Sequence, residues 1–253
     1  MNRLKTMIVI PARMRSTRLP NKMLLAESGK PLIQHTYESA SRAQRHSQIV
    51  IATDHPEIAA AVKRFGGEAI MTDVELRSGT DRVAAVAEKF PDFDLFINVQ
   101  GDEPEISALA IDLAIELLET NSQASMSTLA TPIRDRKKLD DPNCVKVVLN
   151  AHQEAIYFSR AAIPFPRQWH EQLLTQDPPL YLQHVGLYGY RREFLLNIAA
   201  LPASQIEQVE SLEQLRVLYQ RLPIVVGLID EPAIGIDTRA DYQEFLARHN
   251  QRS

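Results

Sequence analysis

Three short apolar runs, each ending where a loop must begin, constrain this chain more than any other feature. Met7-Ile8-Val9-Ile10, Ile49-Val50-Ile51-Ala52 and the stretch from Leu95 to Val99 are near-continuous rather than alternating, as expected of strands covered on both faces of a parallel sheet. Helix-length segments separate them. From Pro31, a favourable first-turn residue, Leu32, Ile33, Tyr37 and Ala40 recur with helical spacing. Pro56 opens a second helix that stops at Gly66-Gly67, a short strand follows near Ala69 to Met71, and a third helix is predicted from about Thr80 to Phe90. This alternation predicts an α/β fold with a mostly parallel central sheet and helices on both faces. Ligands then bind beyond the carboxyl ends of the strands. Pro11, which lacks a backbone donor, is predicted to end the first strand.

The middle of the chain changes character. Ser125 to Thr131, Cys144 to Leu149, Ala155 to Phe158 and Tyr181 to Tyr190 read as strands, joined by connections rich in proline. They form a β-rich inserted part over approximately 125–195 of a single domain spanning 1–253. Helical pattern returns at Ser204, where Ser204 and Glu207 make a capping box ahead of Val209, Leu212, Leu215 and Tyr219. A strand from Ile224 to Ile229 and a helix from Ala240 close the chain, so that both termini belong to the α/β core.

Composition narrows the function. With 28 Lys+Arg against 32 Asp+Glu, there is no global cationic field to hold a nucleic-acid backbone. The one cysteine, Cys144, excludes an intrachain disulfide and a cysteine metal cluster, which suits a reducing compartment. The opening apolar run is too brief for a secretory segment or a bilayer span. A cytoplasmic protein is the expectation.

Against that acidic balance, the loop after the first strand is conspicuously basic. Pro11-Ala12-Arg13-Met14-Arg15-Ser16-Thr17-Arg18-Leu19-Pro20-Asn21-Lys22 gathers three arginines and a lysine, which repel one another unless an anion is shared among them. Guanidinium forks and an ammonium match the oxygens of a triphosphate. No glycine-rich dinucleotide fingerprint or P-loop follows the strand, so the grip would come from side chains. Asn98-Val99-Gln100-Gly101-Asp102-Glu103-Pro104 ends the third strong strand with an acidic turn, where Asp102 could reach a magnesium ion on phosphates. Asp237, after the last strand, reads locally as a helix N-cap that could also face the site. The strand period puts His184 and Tyr188 on one face, opposite Val185 and Leu187. Glu213 and Gln214 fall on the predicted Ser204 helix, whose local reading is a solvated face. Arg160 and Arg167 flank Ile163-Pro164-Phe165-Pro166 and could hold a carboxylate.

Taken together, these segments resemble the 3-deoxy-manno-octulosonate (KDO) cytidylyltransferases. The likeness runs from Ile10-Pro11-Ala12-Arg13 and Ser16-Thr17-Arg18-Leu19-Pro20 with Lys22 through Ser78-Gly79-Thr80-Asp81-Arg82 and Asn98 to Pro104. It continues through Pro142-Asn143 with Val145-Lys146-Val147-Val148, Tyr157-Phe158-Ser159-Arg160, His184, Gly186 and Tyr188-Gly189-Tyr190-Arg191, Leu212-Glu213-Gln214-Leu215-Arg216, and Gly235 with Asp237-Thr238. The resemblance implies a nucleotide-diphospho-sugar transferase fold, Rossmann-like, with a smaller β-rich part that dimerises. It implies CTP and KDO as substrates, Mg2+ as cofactor, and lipopolysaccharide biosynthesis as the purpose. By position, Pro11, Ala12, Arg13, Ser16, Arg18, Lys22, Ser78, Gly79 and Gln100 would meet the nucleotide, with Arg13 and Lys22 also catalytic. Asp102 and Asp237 would hold the metal and act in catalysis. Arg160, Arg167, His184, Tyr188, Glu213 and Gln214 would face the sugar.

Leu76 stands where the family has a histidine two residues before Ser-Gly-Thr. Two alternatives stay open at this point. One is a cytidylyltransferase for another acidic sugar, such as 8-amino KDO or a sialic acid; the other is a non-catalytic nucleotide-binding protein on the same scaffold. A nicotinamide oxidoreductase is disfavoured by the missing glycine fingerprint.

Overall fold

A computed structural model describes residues 4–76 and 78–252, arranged as two compact units: residues 1–115 with 233–253, and residues 116–232. In the first unit, β1 (Thr6–Ala12), β2 (Gln48–Thr53), β3 (Ala69–Met71) and β4 (Leu95–Asn98) run parallel in the order β3-β2-β1-β4. Helices α1 (Leu32–Ala40), α2 (Pro56–Arg64) and α3 (Gly79–Lys89) connect them. The continuous apolar runs are buried as their composition demands: Met7, Ile8, Val9, Ile10, Val50, Ile51, Phe96 and Ile97 are inaccessible to solvent. At about 25 cal/mol per Å2 of buried apolar surface, burying these strands favours folding of the unit.

β1 passes through Pro11, which stands in register with Ala52, and ends at Ala12. The expected stop at Pro11 thus comes one residue late. Helix α4 (Ala108–Thr120) follows β4 and was not among the elements expected. With a mean polarity this low, Ala108-Leu109-Ala110-Ile111-Asp112-Leu113-Ala114-Ile115 has little amphipathic contrast, and Leu109 is exposed while Ile111 and Ile115 are buried.

The second unit is mixed. β5 (Met126–Pro132) pairs antiparallel with β8 (Leu182–Arg191) and parallel with β9 (Ile224–Leu228), while β6 (Lys146–Leu149) pairs antiparallel with β7 (Ala155–Ser159) and with β8. Short helices α5 (Arg136–Asp140), α6 (Gln172–Thr175) and α7 (Arg192–Ile198) fill the connections. The Ser204–Glu207 capping box is present, but the helix it starts is not the single one expected. α8 (Gln205–Glu210) ends at Ser211, held in the left-handed region at φ 52°, and α9 (Gln214–Tyr219) begins anew. Glu213 is the residue before α9, exposed, and Gln214 is buried. The last helix, α10 (Arg239–Arg252), returns to the first unit, whereas β9 remains in the second.

Candidate active site

In the first unit, three segments converge on Lys22. Leu19 and Ile236 are buried in one apolar cluster with Leu32, Tyr242 and Phe245. Their sequence neighbours Arg18 and Asp237 are thereby brought together, with Arg18 Nη2 2.9 Å from Asp237 Oδ2. The backbone N–H of Ile236 donates to the Asp102 carbonyl at 2.9 Å, so the Asp237 segment is tied to the acidic turn. Gly101 allows that turn to close on β1: a Cβ there would lie 2.6 Å from the Pro11 carbonyl oxygen, nearer than packing permits. From α1, Thr36 Oγ1 donates to Gly101 O and Ser39 Oγ to Pro104 O.

The result is an ammonium between two carboxylates. Lys22 Nζ is 2.6 Å from Asp102 Oδ2 and 3.2 Å from Asp237 Oδ1, and its side chain is only 7% exposed. Asp237 is not the N-cap that local pattern suggests. Thr238 caps α10, accepting from Asp241 N, and Asp241 Oδ2 accepts from the N–H groups of Asp237 and Thr238. Those bonds hold the Asp241 carboxyl below the usual carboxylate range and leave the Asp237 side chain to Lys22 and Arg18. Burial, reinforced by the Asp102 carboxylate, pushes Glu103 up to about 8. Its Oε2 has no hydrogen-bond partner among the described residues.

The rest of the basic loop is more open. Arg13 and Ser16 are half-buried and Arg18 is exposed. The loop is anchored by Asp54, whose Oδ1 accepts from Met14 N at 3.4 Å and whose Oδ2 pairs with the fully buried Arg82 at 2.9 Å. Burial, partly offset by Asp54 and reinforced by Arg13, lowers the Arg82 pKa. Ser78 caps α3 in a box with Asp81, and Gly79 lies beside the Pro11 ring and Asn98. The nucleotide-side candidates Pro11 and Gly79 thus meet, and Ala12 beside them is buried.

In the second unit, β8 carries a bulge opposite Thr128 and Leu129, and His184 and Tyr188 still share a face, their rings 5.4 Å apart. Phe158 packs edge-on against His184 at 4.9 Å, and Thr128 Oγ1 lies 3.0 Å from His184 Nε2. Because the single Thr128 hydroxyl proton already has two carbonyl acceptors, Val185 O and Leu187 O, the imidazole donates from Nε2. Burial lowers its pKa to about 3, so the ligand-free protein holds His184 as a neutral ring near pH 7. Tyr188 is pushed well above its ordinary value by burial, then by Tyr190 and by the Glu213 carboxylate, which places Glu213 within electrostatic reach.

Arg160 is tied to the α8–α9 turn: its Nε donates to Glu210 O at 2.7 Å, and its backbone N–H donates to the Glu210 carboxylate at 2.9 Å. Arg167 is exposed and makes no polar contact among the described residues. Structure therefore gathers His184, Tyr188 and Glu213, links Arg160 to the same turn, and leaves Arg167 apart.

Asp54, Arg82, Glu103, Lys146 and Glu210 carry much of this framework, although none of them is a site candidate from the sequence. A signal existed for two of them. Arg82 sits on the apolar stripe of α3 with Val83, Val86 and Ala87, and Lys146, which opens β6, interrupts the apolar sequence run from Cys144 to Leu149.

Comparison with known proteins decides the family. Residues 7–224 match the cytidylyltransferase family model. The 3-deoxy-manno-octulosonate cytidylyltransferase of Rhodopirellula baltica is 49% identical over 97% of this chain and 98% of its own. This chain belongs to the 3-deoxy-manno-octulosonate cytidylyltransferase family. It is a nucleotidyltransferase by that membership. The homologue from Geotalea daltonii is 43% identical over 98% of this chain and all of its own. A solved structure of CMP:2-keto-3-deoxy-manno-octonic acid synthetase complexed with CTP superposes with a TM-score of 0.91 at 40% identity, covering 98% of this chain and 100% of the other. The α/β fold with its mostly parallel sheet is therefore the family's fold. Among the described residues, no helix is long and apolar enough to cross a membrane.

Proposed function

We propose that this chain transfers CMP from CTP to the anomeric 2-hydroxyl of KDO, giving CMP-KDO and pyrophosphate. The observation that carries the reading is the convergence of Asp102 and Asp237 on Lys22 at the end of parallel strands, in a chain whose relatives of matching length bear that activity's name.

The 2-hydroxyl oxygen forms a bond to the α-phosphorus while the bond from that phosphorus to the bridging oxygen breaks, and pyrophosphate leaves with the electron pair. Both reactants are anions, so charge neutralisation and positioning dominate. Arg13, Ser16, Arg18 and Lys22 would hold the triphosphate, and Pro11, Ala12, Ser78, Gly79 and Gln100 would border the cytidine. Arg160, Arg167, His184, Tyr188, Glu213 and Gln214 would face the sugar, His184 as a hydrogen-bonding neutral ring and Arg160 or Arg167 as partner of the carboxylate.

Magnesium is the proposed cofactor. No group of three or more metal-ligating side chains is present among the described residues, and the fit rests on the donor set: two carboxylates already sharing one cation, with phosphate oxygens and water to complete the shell, as magnesium prefers. Bound there, the ion would neutralise phosphate charge and acidify the hydroxyl. Among the described residues no side chain is assigned as general base, and the hydroxyl proton passes to solvent water.

Homodimerisation and a cytoplasmic place in lipopolysaccharide biosynthesis belong to the same proposal. Ile156, Phe165 and Val209 are exposed apolar side chains of the second unit that a second copy would cover, to be checked by light scattering. The activity is tested by pyrophosphate release with magnesium, crossing CTP, UTP, ATP and GTP against KDO, 8-amino KDO and sialic acid. Release confined to CTP with KDO is expected. Release only with another sugar would move the substrate, with half-buried Leu76 the first residue to exchange for His, and no release would refute the proposal.

A further inference from the structure

Lys146 of β6 is fully buried, yet among the described residues no carboxylate meets its ammonium. Nζ donates to three backbone carbonyls: Asp141 O at 2.9 Å, Cys144 O at 2.6 Å and Arg160 O at 2.7 Å. All three N–H donors are used, and burial lowers the pKa. The carboxylates of Asp141, Asp140 and Glu210 favour the charge from a distance, but with only carbonyls in direct contact it is a costly way to fill a strand position, and Met or Leu would serve packing better. The tripod must therefore be read by what it joins.

Two of its carbonyls belong to the turn before β6 and the third to Arg160, just after β7. The same turn supplies Pro142 O, which accepts from Arg160 Nη1 at 3.0 Å. On the other side, Glu210 O accepts from Arg160 Nε, and the Glu210 carboxylate accepts from Arg160 N and from Ser159 Oγ at 2.6 Å. Arg160 is thus fixed through its backbone N–H, its carbonyl and two guanidinium nitrogens. Both of the latter bonds end on neutral carbonyls, and Nη2 keeps its donors unengaged among the described residues.

We propose that Lys146 is a positioning residue for acidic-sugar recognition, setting Arg160 so that its Nη2 edge is presented to the sugar carboxylate. The inference rests on the reading of Arg160 as sugar-facing. It is tested on the full chain by steady-state kinetics of Lys146→Met, Arg160→Met and the double variant, varying KDO and CTP separately. Lys146→Met should raise the KM for KDO about tenfold or more, the scale of a lost charged hydrogen bond, with the KM for CTP within about twofold. The double variant should be no worse than Arg160→Met, because a residue acting through Arg160 has nothing left to act on.

A KM for KDO unchanged in Lys146→Met, where Arg160→Met raises it, overturns the proposal, as do additive losses or a fall in melting temperature alone. An unchanged KM in Arg160→Met overturns instead the reading beneath it. If Lys146→Met does not fold, Lys146→Gln keeps two N–H donors without the charge, and a KM for KDO equal to that of the unaltered protein there would count against the proposal.

Discussion

Replacing Lys22 by Met removes the cation that joins Asp102 to Asp237, and the structure sets the size of the effect. Breaking a buried ion pair by deleting one partner costs about 3 to 5 kcal/mol. Here the lysine side chain is 7% exposed, but Asp102 is 27% and Asp237 48% exposed, so solvent screens the orphaned carboxylates and roughly 1 to 3 kcal/mol is expected. For a chain of this size that is a melting-temperature fall of about 2 to 12 °C. Two neighbouring carboxylates without their ammonium form a better site for a divalent cation. Magnesium should then stabilise Lys22→Met more than the unaltered protein in the absence of CTP, read by thermal unfolding across a magnesium titration. Turnover, read by pyrophosphate release, should fall about a hundred- to a thousandfold through loss of roughly 3 to 4 kcal/mol of transition-state stabilisation. Equal magnesium shifts in the two proteins would refute the idea that ammonium and metal share one position. A folded Lys22→Met with near-normal turnover would remove Lys22 from the catalytic groups.

Asp102→Asn and Asp237→Asn should each lose about a hundredfold or more in kcat, and melting curves would show whether the fold persists. Gly101→Ala places a methyl 2.6 Å from Pro11 O and should cost about 1 to 3 kcal/mol in urea unfolding, with a matching loss of activity as Asp102 is pushed from Lys22. His184 predicts a pH dependence. Its imidazole stays neutral in the fold down to about 3 but takes a proton near 6.5 when unfolded, so the unfolded state binds more protons as pH falls below 6.5 and stability declines. Between pH 7 and pH 5 this contributes a loss of about 2 kcal/mol, which His184→Gln should lack in paired denaturation curves. A variant with the same pH slope would contradict it.

What the sequence disclosed depends on the range of the interaction. Strands such as Met7–Ile10 and caps such as Ser204–Glu207 are local, and they appear where pattern places them. The pairing of Arg18 with Asp237 is not local. It arises because Leu19 and Ile236 share a core cluster, and nothing in either segment names the other. Asp237 itself was ambiguous for a definite reason: Thr238 and Asp241 complete the α10 cap without it, and a capping position one residue over looks the same in sequence. The break at Ser211 was hidden because a serine with positive φ gives no signal of the kind glycine would give. That break is what moves Glu213 out of a helix interior to the turn beside Arg160.

The two units handle charge by different means, and this bears on how ligands are met. In the first, Lys22 and Arg18 are already neutralised by Asp102 and Asp237, so an incoming triphosphate must exchange with bonds that exist. Affinity there becomes a difference between two ionic arrangements, and it should weaken with salt only modestly where the pair is buried. In the second, Arg160 and Lys146 spend their donors on neutral carbonyls, so among the described residues no ion pair to either side chain has to be broken before a carboxylate binds. A site of that kind is set in advance. Raising ionic strength should therefore increase the KM for the acidic sugar through the guanidinium of half-buried Arg160 while the buried tripod on Lys146 stays intact. If the KM for CTP proved the more salt-sensitive of the two, this division of labour would be wrong.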